Sequence, residues 1–204
     1  MTGIKNIIFD LGGVLLDLDF KKTFSAFGEL GIKNFEEMFS QHHANRLFEE
    51  LETGKISEER FYARVKELIP QPVTTEQITI AWNAMMLDFR TDSLAVLEKL
   101  SKDHRLFLLS NTNSIHLKAF REIFTRDTGK PLLDGYFSKC WYSHIIGLRK
   151  PNKEVYEFVL KDEGLEVTET FFVDDTVENI NAAGKLGIRT HLLLPGESIT
   201  QLRF

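Results

Sequence analysis

The sequence predicts an α/β protein: a Rossmann-like parallel sheet core interrupted by an inserted all-helical segment. Three observations lead there. Short continuous apolar runs recur at Ile7-Ile8-Phe9, Leu106-Phe107-Leu108-Leu109, Phe171-Phe172-Val173 and Leu192-Leu193-Leu194, and such runs suit strands buried on both faces. From Ser93 onward they alternate with stretches of helical periodicity, a pattern that winds a parallel sheet through right-handed crossovers. Between the first run and the second, residues 17–88 carry helical patterning and no strand. A chain of 204 residues has room for one large domain with a smaller insertion. The division expected is 1–16 plus 89–204 for the core and 17–88 for the inserted helices.

The first strand, Ile7-Ile8-Phe9, runs straight into Asp10-Leu11-Gly12-Gly13. A carboxylate at the end of a buried strand is costly unless it has a partner or a task, and paired glycines let the backbone turn and approach a ligand. Ligands of open α/β sheets sit beyond the carboxyl ends of the strands. Asp10 is therefore the first candidate for chemistry; alone, it also fits a residue that caps a turn onto Gly12 or Gly13. Phe20, Phe24, Phe27 and Leu30 then recur at helical spacing, and Gly31 closes that helix. Short helices follow around Phe35–Phe39 and Leu47–Leu51. Ser57 opens a capping box ahead of Phe61, Val65, Leu68 and Ile69. Pro70 and Pro72 end that helix, and Thr75-Glu76 opens another through Trp82 and Met86. The phenylalanine stripe of this segment reads as core packing.

Beyond Arg90 the units repeat. A helix over Ser93–Lys102 precedes the strand Arg105–Ser110, and a helix over Ile115–Phe124 precedes a short strand within Tyr136–Ser143. A helix over Lys153–Lys161 precedes Thr170–Val173. The helix Val177–Leu186, stopped by Gly187, precedes a last strand at Thr190–Leu194.

Composition narrows the function classes. With 43% hydrophobic and 27% charged residues the chain affords a real core. A formal charge of −5 argues against nucleic-acid binding, which needs a basic face; Arg149-Lys150 still offers a local basic spot for one small anion. The single Cys140 excludes an internal disulfide, fits a reducing compartment and reads as a buried small hydrophobe beside Trp141. Asp10 and Gly12-Gly13 interrupt the first apolar run too early for a signal peptide, and no stretch approaches the ~20 apolar residues of a membrane span. A cytoplasmic location is expected, with neither nucleic acid nor membrane as partner.

Four strand or loop ends carry polar groups of complementary type: Asp10; Ser110-Asn111-Thr112; Lys150; and Asp174-Asp175. In a parallel sheet these ends share one edge and can converge. Asp10 and the Asp174-Asp175 pair cannot all stay ionised together without a cation between them. A hard, oxygen-seeking ion such as Mg²⁺ answers that need. Ser110 and Asn111 offer donors to an anionic oxygen, and Lys150 supplies a positive charge that neutralises a phosphoryl group. A carboxylate so placed can attack phosphorus and form an aspartyl-phosphate that water later cleaves. Separately, Ser110 also fits a helix cap, Lys150 a solvated charge before a proline, and Asp174-Asp175 a capping turn.

Together the pieces resemble the haloacid dehalogenase-like hydrolase superfamily. Phe9-Asp10-Leu11-Gly12-Gly13-Val14, Leu109-Ser110-Asn111-Thr112, Arg149-Lys150-Pro151 and Phe172-Val173-Asp174-Asp175 with Asn179 match its four motifs in order. The resemblance spans essentially the whole chain, and 17–88 matches the helical cap that one subclass inserts after the first motif. Asp17-Leu18-Asp19-Phe20, Ser110-Asn111-Thr112-Asn113 and Gly147-Leu148-Arg149-Lys150-Pro151 look closest to the small bacterial sugar-phosphatase branch typified by alpha-D-glucose-1-phosphate phosphatases. The resemblance implies Asp10 as nucleophile and Mg²⁺ ligand and the Gly12 carbonyl as a second ligand. It implies Ser110, Asn111 and Lys150 around the phosphoryl group, Asp175 as a direct metal ligand, and Asp174 behind it or bound through water.

The sequence departs from the family at Gly12, where most of its phosphatases carry a second Asp as general acid and base. Such a group contributes on the order of 10²–10⁴ in rate. An anomeric phosphate needs that help less, the sugar-phosphatase branch shares the glycine, and Asp17 and Asp19 stand as substitutes. The function expected is Mg²⁺-dependent hydrolysis of a small phosphorylated metabolite, with a cap that closes over the site and reads the leaving group. His42, His43 and Arg46 are candidate readers and also fit a solvated surface. Two alternatives remain at this point: a metal-independent 2-haloacid dehalogenase using Asp10 on carbon, and a non-catalytic phosphate-binding or regulatory module.

Overall fold

The computed structural model of the chain describes residues 3–40 and 46–204. In chain order the elements are β1 (Asn6–Phe9), β2 (Leu16–Leu18), α1 (Phe20–Glu29), α2 (Phe35–Ser40), α3 (Arg46–Glu52), α4 (Glu58–Leu68), α5 (Thr75–Asn83) and β3 (Met86–Phe89). They continue with α6 (Thr91–Leu100), β4 (Arg105–Ser110), α7 (Ser114–Thr128), β5 (Lys139–Tyr142), α8 (Ser143–Ile146), α9 (Lys153–Asp162), β6 (Thr170–Asp174), α10 (Val177–Lys185) and β7 (Arg189–Leu192).

The expected parallel sheet is present, in the order β5-β4-β1-β6-β7 with every pair parallel. Side chains alternate across it, as the pleat requires. Ile7, Phe9, Leu106, Leu108, Phe171 and Val173 face one layer with Leu97, Phe120 and Phe124. Ile8, Phe107, Leu109 and Phe172 face the other, with Trp141, Val155 and Val159. Burial on both faces is why these strands read as continuous apolar runs rather than alternating ones. Phe9 stands opposite both Leu108 and Val173, so Asp10 leaves the central strand level with Leu109 and Asp174.

The inserted helices build a separate cluster around Trp82, with Phe27, Phe35, Phe48, Leu51, Phe61 and Val65. Trp82 is 1% exposed and stacks on Phe48 with ring centres 5.1 Å apart. Ile115 of α7 belongs to the same cluster, so the insertion docks on the core partly through that helix. Thr74 and Gln77 exchange the two bonds of a full capping box at the start of α5. At Ser57 only half of the expected box forms, because the third helical residue is Arg60, whose backbone N–H donates to the serine.

The expectation of helices alone over 17–88 is corrected at both ends. β2 and β3 pair antiparallel, Leu16 opposite Phe89 and Leu18 opposite Met86. The two strands are three and four residues long and their partners lie about seventy residues apart, so no local period marks them. The expected boundaries at 16/17 and 88/89 fall inside this ribbon. Cys140 is half-buried rather than buried. No helix among the described residues is long and apolar enough to cross a membrane.

Candidate active site

Asp10 is held by backbone before any side chain acts. Its N–H donates to the Val173 carbonyl at 2.9 Å, and the Leu11 N–H donates to its Oδ1 at 2.6 Å. The chain then turns through Gly13 at φ 71°. A Cβ there would stand 1.9 Å from Asp175 Oδ2, so only glycine lets this turn lie against that carboxylate.

Lys150 is 1% exposed, and its ammonium bridges Asp10 Oδ1 at 2.8 Å and Asp174 Oδ2 at 2.7 Å. Asn111 places it: the side-chain amide donates to the Lys150 carbonyl at 2.8 Å, and the Lys150 N–H donates to Asn111 Oδ1 at 2.9 Å. One N–H of the Asn111 amide thus holds the lysine's backbone, while the residue itself lines the cavity. Asp174 is fully buried. Asn179 Nδ2 donates to both its oxygens at 3.0 Å, and the Thr176 N–H to Oδ1 at 2.8 Å. Asp174 therefore anchors Lys150, while Asp175 is the exposed member of the pair.

Asp10, Asp174 and Asp175 each offer a carboxylate oxygen within 4.8 Å of the others. Burial pushes Asp10 up to about 8 against the pull of Lys150, with Asp174 and Asp175 adding to the rise. Burial and Asp174 also raise Asp175. Burial works against the Lys150 charge, but Asp10 and Asp174 outweigh it and hold the ammonium above its ordinary range. Three acids against one ammonium leave the cluster short of positive charge, and an all-oxygen donor set of this kind suits a hard divalent cation.

The cluster lies at one end of a cavity of about 270 Å³. Asp10, Gly12, Ser110, Asn111, Lys150 and Asp175 line it from the sheet edge. Phe20, Phe39, Glu52, Trp82 and Met86 line it from the inserted segment, and His116 and Arg149 complete the wall. Glu52 Oε2 pairs with Arg149 Nη2 at 3.1 Å, and burial raises the glutamate's pKa although Arg149 opposes the rise. Among the described residues Arg149 Nε and Trp82 Nε1 are buried donors without a partner, two hydrogen-bonding positions on lining residues that a ligand can satisfy. His116 stacks on Trp82 with ring centres 4.8 Å apart. Its Nε2 lies 3.2 Å from the Trp82 carbonyl, and burial takes its pKa down to about 4.

Of the residues singled out in the sequence, Asp10, Gly12, Ser110, Asn111, Lys150 and Asp175 line this one cavity, and Asp174 stands behind Lys150. Asp17 and Asp19 do not substitute for the acid missing at Gly12. Asp17 accepts from Arg90 Nε at 2.7 Å, and Asp19 caps α1 by accepting from the Lys21 N–H. Arg46 is exposed and lines a different cleft, with Arg60 and Arg64; His42 and His43 lie outside the described residues. The residues without a sequence signal are Glu52, Trp82 and His116. They come from three helices, and no spacing in the chain brings them together.

A family model described as haloacid dehalogenase-like hydrolase matches residues 4–187. A D-ribitol-5-phosphate phosphatase of Bacteroides thetaiotaomicron is 35% identical over 187 residues, covering 92% of this chain and 90% of that protein. A sesquiterpene phosphatase of Aspergillus oryzae is 31% identical over 191 residues, covering 92% of this chain and 88% of that protein. Among solved structures, a HAD family enzyme of Bacteroides thetaiotaomicron in complex with magnesium and inorganic phosphate superposes with a TM-score of 0.84 at 36% identity, covering 96% of both chains.

Proposed function

The chain belongs to the haloacid dehalogenase-like hydrolases, and on that premise we propose a magnesium-dependent phosphatase that hydrolyses a small phosphomonoester, a sugar or polyol phosphate, through a phosphoryl-enzyme on Asp10. The observation that carries this reading is the buried Lys150 ammonium locked between Asp10 and Asp174 at the floor of the cavity. It fixes the attacking carboxylate and supplies charge where a phosphoryl group would arrive.

Lys150 and the Leu11 N–H both engage Asp10 Oδ1. Among the described residues nothing engages Oδ2, which is left to attack phosphorus. Ser110, Asn111 and Lys150 receive the phosphoryl oxygens. Asp10, Asp175 and the Gly12 carbonyl would hold magnesium, with Asp174 acting behind them because Lys150, Asn179 and Thr176 already take its oxygens. Bound there, the ion supplies the positive charge that keeps Asp10 ionised and offsets the phosphoryl oxygens. Residues 17–88 serve as a cap over the core 1–16 plus 89–204. Their separate apolar cluster and their share of the cavity wall support that role. A dehalogenase working without metal would leave the three crowded carboxylates uncompensated, so the acid cluster favours phosphorus over carbon as the target. Kinship with a D-ribitol-5-phosphate phosphatase supports polyol and sugar phosphates as the substrate class, glucose 1-phosphate among those to be tested.

The test is a panel of polyol, sugar and nucleoside phosphates with and without Mg²⁺, run beside Asp10→Asn. Wild type should release phosphate only with the ion, and the variant none. Turnover by the variant, or release untouched by a chelator, would overturn the reading.

A further inference from the structure

We propose that Glu52, at the end of α3 in the helical cap, is the proton carrier for the leaving group, in place of the acid absent at Gly12. The proposal rests on the phosphatase reading above and asks which side chain completes it.

Gly12 is not merely a vacancy. A Cβ at that position would meet Leu18 Cδ1 at 2.6 Å, so an apolar side chain fills the space an acid there would need. The proton must come from elsewhere on the cavity wall. Of the titratable groups lining it, Asp10 attacks, Lys150 is locked between two carboxylates and Asp175 belongs to the acid cluster. The Arg149 guanidinium is the partner of Glu52. His116 is held neutral by burial, with a pKa near 4, and its Nε2 is tied to the Trp82 carbonyl; it has no spare proton to give. Glu52 remains.

The surroundings of Glu52 suit the task. Arg149 engages Oε2, which orients the carboxyl group, while among the described residues nothing engages Oε1. Burial raises the Glu52 pKa, Arg149 opposes the rise and Glu49 adds to it. The net direction is the one a carboxylic acid needs to donate near neutral pH. The cycle balances. Asp10 Oδ2 bonds to phosphorus, the bond from phosphorus to the leaving oxygen breaks with its electron pair on that oxygen, and the Glu52 proton converts it to an alcohol. The Glu52 carboxylate then takes a proton from water as that water attacks phosphorus. The bond to Asp10 breaks, phosphate leaves, and both carboxyl groups return to their starting states.

Glu52→Gln keeps a hydrogen-bond partner for Arg149 but cannot give up a proton. The experiment follows the first turnover of the full chain with magnesium on two substrates: the best alkyl phosphate of the panel, and p-nitrophenyl phosphate, whose phenolate leaves without protonation. The variant's first turnover on the alkyl phosphate should fall by about 10²–10⁴. On p-nitrophenyl phosphate it should give a burst of one p-nitrophenolate per enzyme at the wild-type rate, then a slow steady state, because water now lacks its base. A first turnover slowed equally on both substrates, or unslowed on the alkyl phosphate, would overturn the role of Glu52. Inactivity of the wild type on both substrates, or activity of Asp10→Asn, would instead sink the parent reading.

Discussion

At Gly13 the backbone turn and the acid cluster meet in a single atom's worth of space. The residue sits at φ 71°, and a methyl group there would collide with the Asp175 carboxylate. The left-handed conformation costs an L-residue roughly 1–2 kcal/mol, and the collision displaces a carboxylate assigned to magnesium. Gly13→Ala should therefore lose about that much stability in a urea titration and also bind Mg²⁺ more weakly by calorimetry. A variant with unchanged metal affinity would show that Asp175 is not needed where it stands. This is the scale at which the sequence is most legible. Asp10 and Asp175 each follow a strand directly, so topology brings them to one edge, and Lys150 reaches them from the loop between α8 and α9. Glu52 carries no such mark, because it reaches the cavity only when α3 packs against α8 and brings its carboxylate to Arg149. The bonds between the Asn111 side chain and the Lys150 backbone are not legible either, since the two residues stand 39 positions apart.

Helix α7 joins the two lobes, carrying Ile115 into the aromatic cluster of the insertion and His116 against Trp82 of α5. His116 has a folded pKa near 4 against an ordinary 6.5. Between those values the unfolded chain binds the proton and the folded chain does not. The stability this site contributes is therefore complete above pH 6.5 and lost as pH falls towards 4, by about 3 kcal/mol in all. Urea titrations across that window should show the loss, and His116→Asn should show a shallower one; identical acid profiles would contradict the assignment. The long helices of the core are legible from their period and the buried strands from their continuity. The β2–β3 ribbon is not: its strands are too short to display a period, and their pairing is non-local.

Among the described residues three apolar clusters form, two sandwiching the sheet and one centred in the insertion. The strands β1, β4 and β6 are buried from both sides, whereas α2 and α3 span only six and seven residues and carry exposed positions. Opening free energies should follow that contrast. In hydrogen exchange, amides of β1, β4 and β6 should exchange only through global unfolding, and those of α3 through smaller local openings that magnesium and phosphate suppress. Equal protection throughout would mean that the insertion does not open separately from the sheet. The layered α/β architecture follows from the order of apolar runs along the chain. The seating of the insertion on the core does not, because its contacts join residues far apart in sequence, such as Glu52 with Arg149 and Lys118 with Glu58.

The ribbon of β2 and β3 carries one more consequence. Because Leu16 and Phe89 are paired neighbours, the polypeptide departs from the catalytic framework and rejoins it at a single doorway. We propose that the stretch between acts as a cassette, exchangeable at that doorway without re-threading any strand of the five-stranded sheet. Substrate range can thus drift in one lobe while the phosphoryl chemistry stays fixed in the other. On the mechanism proposed above, a replacement would have to keep Glu52 and the seating on α7, such as the pair of Glu58 with Lys118.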